Sequence, residues 1–379
     1  MAQSMQGLSK QPVPMHTPRS LRLAALAASI LTACGSLRAE KDLLIYDNDW
    51  NVPGSYMEQD ALMPLLACPD VKIIGLTTAT GDAWRDEGAA SLLRYLEVVG
   101  AADIPVVNGA VFPLVNTRKR MVQWEQAHGF IYWKGAWNDP AQFPRSHPDD
   151  PYKITPPLDR MPRIRVAEGI AAEFMVRMVH EHPHEVTIFE GGPMTNLALA
   201  IGLDPGFAGL ARRLVFFGGA QGQLGDTSGN ADGFHSDFNI IFDPEAAHIV
   251  LSAHWAKVIS VADVTNAYIL DRGLLERIQA RRSPAGDYLA QNSTLGLPLW
   301  GELGASIVAD PSLVTKSVDV TMDVDIDHGT DYGRTIVGPL DANPGFGGSR
   351  VTIIQGVDGK RFIDQFVAAV QTDVSGGRR

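Results

Sequence analysis

From Asp42 onward, short apolar runs alternate with stretches of helical period. DLLIYDND (42–49), VKIIGLTTATGD (71–82) and IPVVNGA (104–110) read as strands, with DALMPLLA (60–67) and EGAASLLRYLEVVG (87–100) as helices between them. The rhythm breaks over 113–163, where FIYWKGAWNDPAQFPRSHPDDPYKITPP mixes Pro, aromatic and His residues. A connection of that length inside a compact domain is usually functional or mobile. The rhythm returns with a helix in RVAEGIAAEFMVRMVHEHP (165–183), a strand in VTIFEGG, a helix in NLALAIGL and a strand in RLVFFGGA. It continues through PEAAHIVLSAH, AKVISVADVT and LLERIQARR. After Asp310 the alternating VDVTMDVDID and RTIVG predict an antiparallel or edge extension. Repeated β and α units imply βαβ crossovers and a parallel sheet. The fold class expected is therefore α/β, a single Rossmann-like domain with a mostly parallel central sheet and flanking helices, from about residue 41 to 379.

Composition narrows the partners. The 379 residues are 45% hydrophobic and 20% charged, ordinary for a globular protein, and no internal repeat or low-complexity segment interrupts them. A net charge of −11 argues against nucleic acid or an anionic membrane as a general partner and favours a small neutral ligand or a bound cation. Residues 1–40 stand apart: Arg19 and Arg22 flank LAALAASILTA, too short to span a bilayer comfortably, which reads as an export signal. Within it LTACG has the form of a bacterial lipobox that would place a lipid anchor on Cys34, while SLRA offers an ordinary cleavage site. The expected location is outside the cytoplasm: periplasmic, lipid-anchored or secreted. Of two cysteines, Cys68 would then have no partner, so no disulfide framework is expected.

In open parallel sheets the ligand sits beyond the carboxyl ends of the strands. Polar residues collect there: Asp47-Asn48-Asp49 after the first strand, then Asp60, Thr77 to Asp82, Glu190-Gly191-Gly192, Gly218-Gly219, and downstream Asn230, Asp237 and Asn239. Carboxylates packed together drive one another's pKa up unless a counter-charge is present. A hard cation held by oxygen ligands resolves the repulsion, and the lack of paired Cys and His argues against structural zinc. The alternative for Asp47 and Asp49 is a capping or turn-closing role.

Together IYDNDW with the later Asp60-Ala61, GLTTATGD, GGPMTNLALA, FFGGA and DFNIIFDPEAA resemble the inosine-uridine preferring nucleoside hydrolase family over about residues 42–311. The resemblance implies a Rossmann-like domain with Ca²⁺ at the strand ends, hydrolysing the N-glycosidic bond of a ribonucleoside or related N-riboside. It implies Asp49 as calcium ligand and general base, Asp60 as bidentate ligand, and the carbonyl of Gly191 as a third donor. Asp82, Asn230, Asp237 and Asn239 fall where the family holds the ribose, and Asp47 where it supports the pair; Trp50, directly after Asp49, is expected to line the cleft. A homo-oligomer is implied by the same analogy.

Departures from the family pattern are as informative. WNVPGSYMEQ separates Asp49 from Asp60, and Gln59 replaces an adjacent acid. The family's late His-Asp pair falls on Trp300-Gly301, which removes a metal ligand; Glu302 follows, but a helix there would turn it elsewhere. Asn266 stands where many relatives have His, so no leaving-group acid is evident. In 113–163, His128, Trp133, Trp137 and His147 could stack on a base and protonate it or simply anchor the loop, with at least one expected to face the site. Competing readings are a nucleoside- or sugar-binding protein that kept the fold without turnover and a metal-free two-carboxylate glycosidase.

Overall fold

A computed structural model describes residues 41–52, 58–157, 159–219, 237–261, 263–340 and 348–375. Residues 1–40 with Cys34, residues 53–57 and Asn230 lie outside the described residues. Nine strands form one sheet: β1 (Asp42–Asn48), β2 (Val71–Thr78), β3 (Val106–Asn108), β4 (Val186–Glu190), β5 (Arg213–Phe217), β6 (Val258–Val261), β7 (Val314–Val324), β8 (Thr335–Gly338) and β9 (Ser349–Val357). Their order is β3-β2-β1-β4-β5-β6-β9-β7-β8. The six strands from β3 to β6, together with β9, pair in parallel, and β7 and β8 close the edge antiparallel.

This order is that of a doubly wound dinucleotide-type sheet with a three-strand extension. The chain builds outward from β1 through β2 to β3, then returns to the other side of β1 and builds β4, β5 and β6. The crevice at that reversal, between the carboxyl ends of β1 and β4, is where such folds bind ligands.

Both faces of the sheet are covered, which is why its strands read as nearly continuous apolar runs. Alternation sorts β1 between the two cores: Leu44, Tyr46 and the following Trp50 enter one cluster, Leu43 and Ile45 the other. On β4, Phe189 joins the first cluster while Val186 and Ile188 join the second. The same alternation places Asp47 and Glu190 side by side on one face, in register across the strand pair.

Several elements depart from the expected bounds. The first expected helix opens as a 3-10 turn, Glu58–Ala61, before Leu62–Ala67. The helix expected over 165–183 is confined to Ala171–Glu181, because Gly169 holds φ at +102° and Ile170 is extended. The loop 113–163 contains the helix Arg118–His128, whose cap is Thr117 accepting from Arg120 N. Among the described residues no helix is long and apolar enough to cross a membrane.

One contact positions the site directly. The helix Trp300–Ala309 carries Gly304 against Phe189 of β4, where an added Cβ would stand 2.7 Å from the ring. Glycine there lets the helix lie close on the sheet, bringing Glu302 in its first turn down toward the end of β1.

Candidate active site

The mouth of β1 is lined by carboxylates with almost no exposure: Asp47 and Asp60 at 0%, Asp49 at 1%. Asp47 is held on both sides, its Oδ1 accepting from Thr77 Oγ1 at 2.6 Å and Asn196 Nδ2 at 2.9 Å. Asp49 Oδ2 accepts from Asp82 N at 2.7 Å, while its Oδ1 is buried and meets no donor. Two glycines make room for it: a Cβ at Gly81 would fall 2.0 Å from Asp49 Oδ2, and one at Gly192 would fall 2.7 Å from Oδ1. Asp60 Oδ1 accepts from Tyr95 OH at 2.7 Å, and its Oδ2 is likewise buried and unpartnered.

Asp82 receives Asn51 Nδ2 at 3.2 Å and the indole N–H of Trp133. Gly191 N bonds Asp47 O at 2.9 Å, which fixes the turn after β4, and Gly191 O accepts Asn239 Nδ2 at 2.8 Å. The second lone pair of that carbonyl is not used by this bond. Asp237 caps the helix Phe238–Phe242, accepting from Ile240 N at 2.8 Å and Gly219 N at 2.7 Å. Of the expected site residues, the structure thus joins Asp47, Asp49 and Asp82 at one rim and Gly191 with Asn239 at the next. Asp60 stands at the start of the 58–67 turn and helix.

Two further acids complete the cleft. Glu58 is 7% exposed, and its Oε2 accepts from Asn48 Nδ2 and Asn51 N, both at 3.1 Å. Glu190 packs beside Asp47 and accepts from Gly192 N at 2.9 Å. Glu302 corrects an expectation. The segment does enter a helix, yet Glu302 is buried, and its charge acts on Tyr46, Glu58 and Asp60. Glu58 gave no sequence signal beyond an acid two residues before Asp60.

Electrostatics follow from this crowding. Burial, and next the charge of Asp82, push the Asp49 carboxyl well above the ordinary range. Glu58 is raised by burial and then by Asp49 and Asp82; Glu190 by burial and then by Asp47. Asp60 rises by burial, with Tyr95 opposing and Glu302 adding. Asp82 and Asp237 are each pushed up to about 6 by burial, against the hydrogen bonds they accept. The strongest charged neighbours of Asp49, Glu58, Asp60 and Glu190 are other acids. This donor set suits a hard cation: oxygen only, buried, with Asp49 Oδ1, Asp60 Oδ2 and Asn48 Oδ1 lacking donors. Among the described residues, however, no three acidic, His or Cys side chains already converge at ligating geometry.

The aromatic candidates separate cleanly. Trp50 is fully buried, its Nε1 donates to Thr77 O at 2.9 Å, and its ring lies 4.8 Å from Tyr46. It falls on the core-facing side with Leu44 and Tyr46. Trp137 stacks on Phe242 at 4.3 Å, and His128 is exposed beside Trp124. His147 faces only acceptors, Arg145 O at 3.0 Å, Lys153 O at 2.9 Å and Glu87 Oε2 at 3.1 Å, so it anchors the loop. Of the four, Trp133 reaches the site through Asp82, and His147 borders the cavity beside it with its nitrogens engaged by the loop. Trp300 Nε1 donates to Asn266 Oδ1 at 3.1 Å, tying together the two positions where a leaving-group His was sought.

A β3-β2-β1-β4-β5-β6 sheet with a buried, oxygen-rich crevice at its reversal point defines an α/β protein with its ligand site at the carboxyl ends of parallel strands. The family follows from comparison. The model of the inosine-uridine preferring nucleoside hydrolase family matches residues 44–364, and the chain belongs to that family. It is therefore an N-glycosyl hydrolase. An uncharacterized Schizosaccharomyces pombe protein is 28% identical over 95% of this chain and 92% of its own. Uridine nucleosidase 1 of Arabidopsis thaliana is 31% identical over 64% of this chain and 63% of its own. A purine-preferring ribonucleoside hydrolase from Gardnerella vaginalis shares the fold at a TM-score of 0.66, with 22% identity, over 88% of this chain and 99% of that one.

Proposed function

We propose that the protein hydrolyses the N-glycosidic bond of a ribonucleoside or related N-riboside in a calcium-dependent reaction, releasing ribose and free base. The observation that carries this reading is Asp49: a buried carboxylate whose Oδ2 is fixed by Asp82 N and whose Oδ1 meets no donor, at the crevice of the sheet. A general base needs one oxygen pinned for aim and one open to a proton.

Asp49, Asp60 and Gly191 would hold the cation. Bound there, calcium supplies Lewis acidity and the positive charge that lets the surrounding acids stay ionised. The chain's own residues do the rest. Asp49 takes the proton from the attacking water, Asp47 and Glu190 brace the strand end beneath it, and the carboxylates favour the positive charge that grows on the sugar ring. Asp82, Asp237 and Asn239 hold the ribose hydroxyls, as does Asn230 beyond the described residues. The relatives named for uridine and for purines leave both kinds of base open.

The test is release of reducing sugar from a panel of nucleosides by the purified mature chain with calcium. Asp49→Asn keeps the acceptor for Asp82 N but removes the base, so a loss of roughly 10² to 10⁴ in kcat is expected. Tight nucleoside binding without sugar release by the parent protein would replace the hydrolase reading with that of a receptor.

A further inference from the structure

The departing base needs an electrophile, and the places searched for one are taken: Trp300 and Asn266 bond each other, and His147 is spent on the loop. Beside Asp82 opens a cavity of about 320 Å³, lined by Asn51, Asp82, Trp84, Trp133, Phe143 and Arg145 among others. It is continuous with the catalytic rim, because Asp82 and Asn51 belong to both and Trp133 bonds Asp82. Its volume and aromatic walls suit a flat heterocycle.

Arg145 is the anomaly in this wall. Its Nε and Nη2 are buried and meet no acceptor. Glu87 feels its charge, but the Glu87 carboxylate is already engaged by Thr155 N at 3.0 Å and His147 Nε2 at 3.1 Å. Buried guanidinium N–H groups without acceptors are costly, and Arg145 stands in the wall of a cavity joined to the active site, where turning that guanidinium to a ligand oxygen would satisfy them. Arginine cannot act as a proton donor near neutral pH, so its use is to hold negative charge.

We propose that Arg145 is a further catalytic residue: in this cavity it donates hydrogen bonds to a ring carbonyl of the departing base, favouring oxo-pyrimidines. The inference rests on the hydrolase reading above. As water oxygen bonds to the anomeric carbon, its proton passes to Asp49 and the C–N bond breaks, with the electron pair going to the base nitrogen. In a pyrimidine whose carbonyl adjoins that nitrogen, the charge spreads onto oxygen, where the guanidinium stabilises it. Solvent then protonates the base anion, and Asp49 returns its proton to solvent. A base without ring carbonyls, such as adenine, offers Arg145 no such oxygen.

The experiment compares the parent protein with Arg145→Met and Arg145→Lys on uridine, adenosine and p-nitrophenyl riboside, whose activated leaving group needs no assistance. Arg145→Met is expected to lower kcat/KM for uridine by roughly 10² to 10³, with little change on the aryl riboside. Arg145→Lys should recover part of the uridine rate. Calorimetric binding of uracil should weaken in Arg145→Met, and an unchanged melting temperature shows the fold intact. Equal losses on uridine and aryl riboside, or no loss on uridine, would overturn the role of Arg145 while leaving the hydrolase reading standing. A parent protein inactive on all three ribosides would overturn both.

Discussion

Glu58 shows how one side chain can work against the fold and for the site. Its carboxylate is buried at 7% exposure, faces the charges of Asp49, Asp82 and Glu302, and has only amide donors from Asn48 and Asn51 to offset them. Glu58→Gln keeps an oxygen for both donors and removes the repelling charge. In chelator this variant should melt higher than the parent, because a buried acid crowded by like charges is replaced by a neutral group. In saturating calcium the order should shrink or reverse, because the cation loses a nearby counter-charge. Differential scanning calorimetry in both buffers reads the crossing, and a variant less stable than its parent in chelator would contradict it. At this scale the sequence was legible where a short motif carried the geometry. Asp47, Asp49 and Asp82 follow directly from strand ends. Glu58 and Arg145 were not legible, since no local pattern marks their burial, and the packing of Trp50 with Leu44 and Tyr46 follows from its even spacing along the chain from them.

Among elements, the helix Trp300–Ala309 decides how the late segment meets the sheet. Gly304 touches Phe189 so closely that a Cβ would stand 2.7 Å from the ring, with Phe189 itself stacked at 4.4 Å on Tyr46. Gly304→Ala gains helix propensity but overpacks a contact that has no slack. Overpacking of this kind typically costs about 1–3 kcal/mol. Urea denaturation should show that loss at an unchanged slope, and nucleoside turnover should fall as Glu302 is levered away from Asp60. A stabilised variant would mean that the ring yields. The alternation of β and α units was readable because each buried strand is a compact apolar run. An antiparallel or edge extension was also readable, from the period of VDVTMDVDID and RTIVG, and β7 and β8 form it. The return of β9 between β6 and β7 was not, because pairing between distant segments leaves no mark in a local pattern.

For the whole molecule, the crowding of acids makes stability depend on pH and on cation together. Asp49, Glu58, Asp60 and Glu190 have carboxyls raised by burial, so the folded state holds protons that the unfolded chain has lost. Their favourable contribution is full below the unfolded value of about 4 and is lost as pH rises through the raised folded values. Asp82 and Asp237 follow the same course, with loss through about 6. In chelator the melting temperature should therefore decline as pH climbs from about 4 toward 8. A divalent cation held there would invert the sign locally, since it would bind the ionised form and displace those protons. At neutral pH, calcium at a hundred times its dissociation constant should add about 2.7 kcal/mol, and the increment should fade as the medium is acidified. Scanning calorimetry across that range, with EDTA or calcium, measures both slopes. Superimposable curves in the two buffers would show that the acids at the mouth of β1 bind no cation and that their repulsion is met by protons alone.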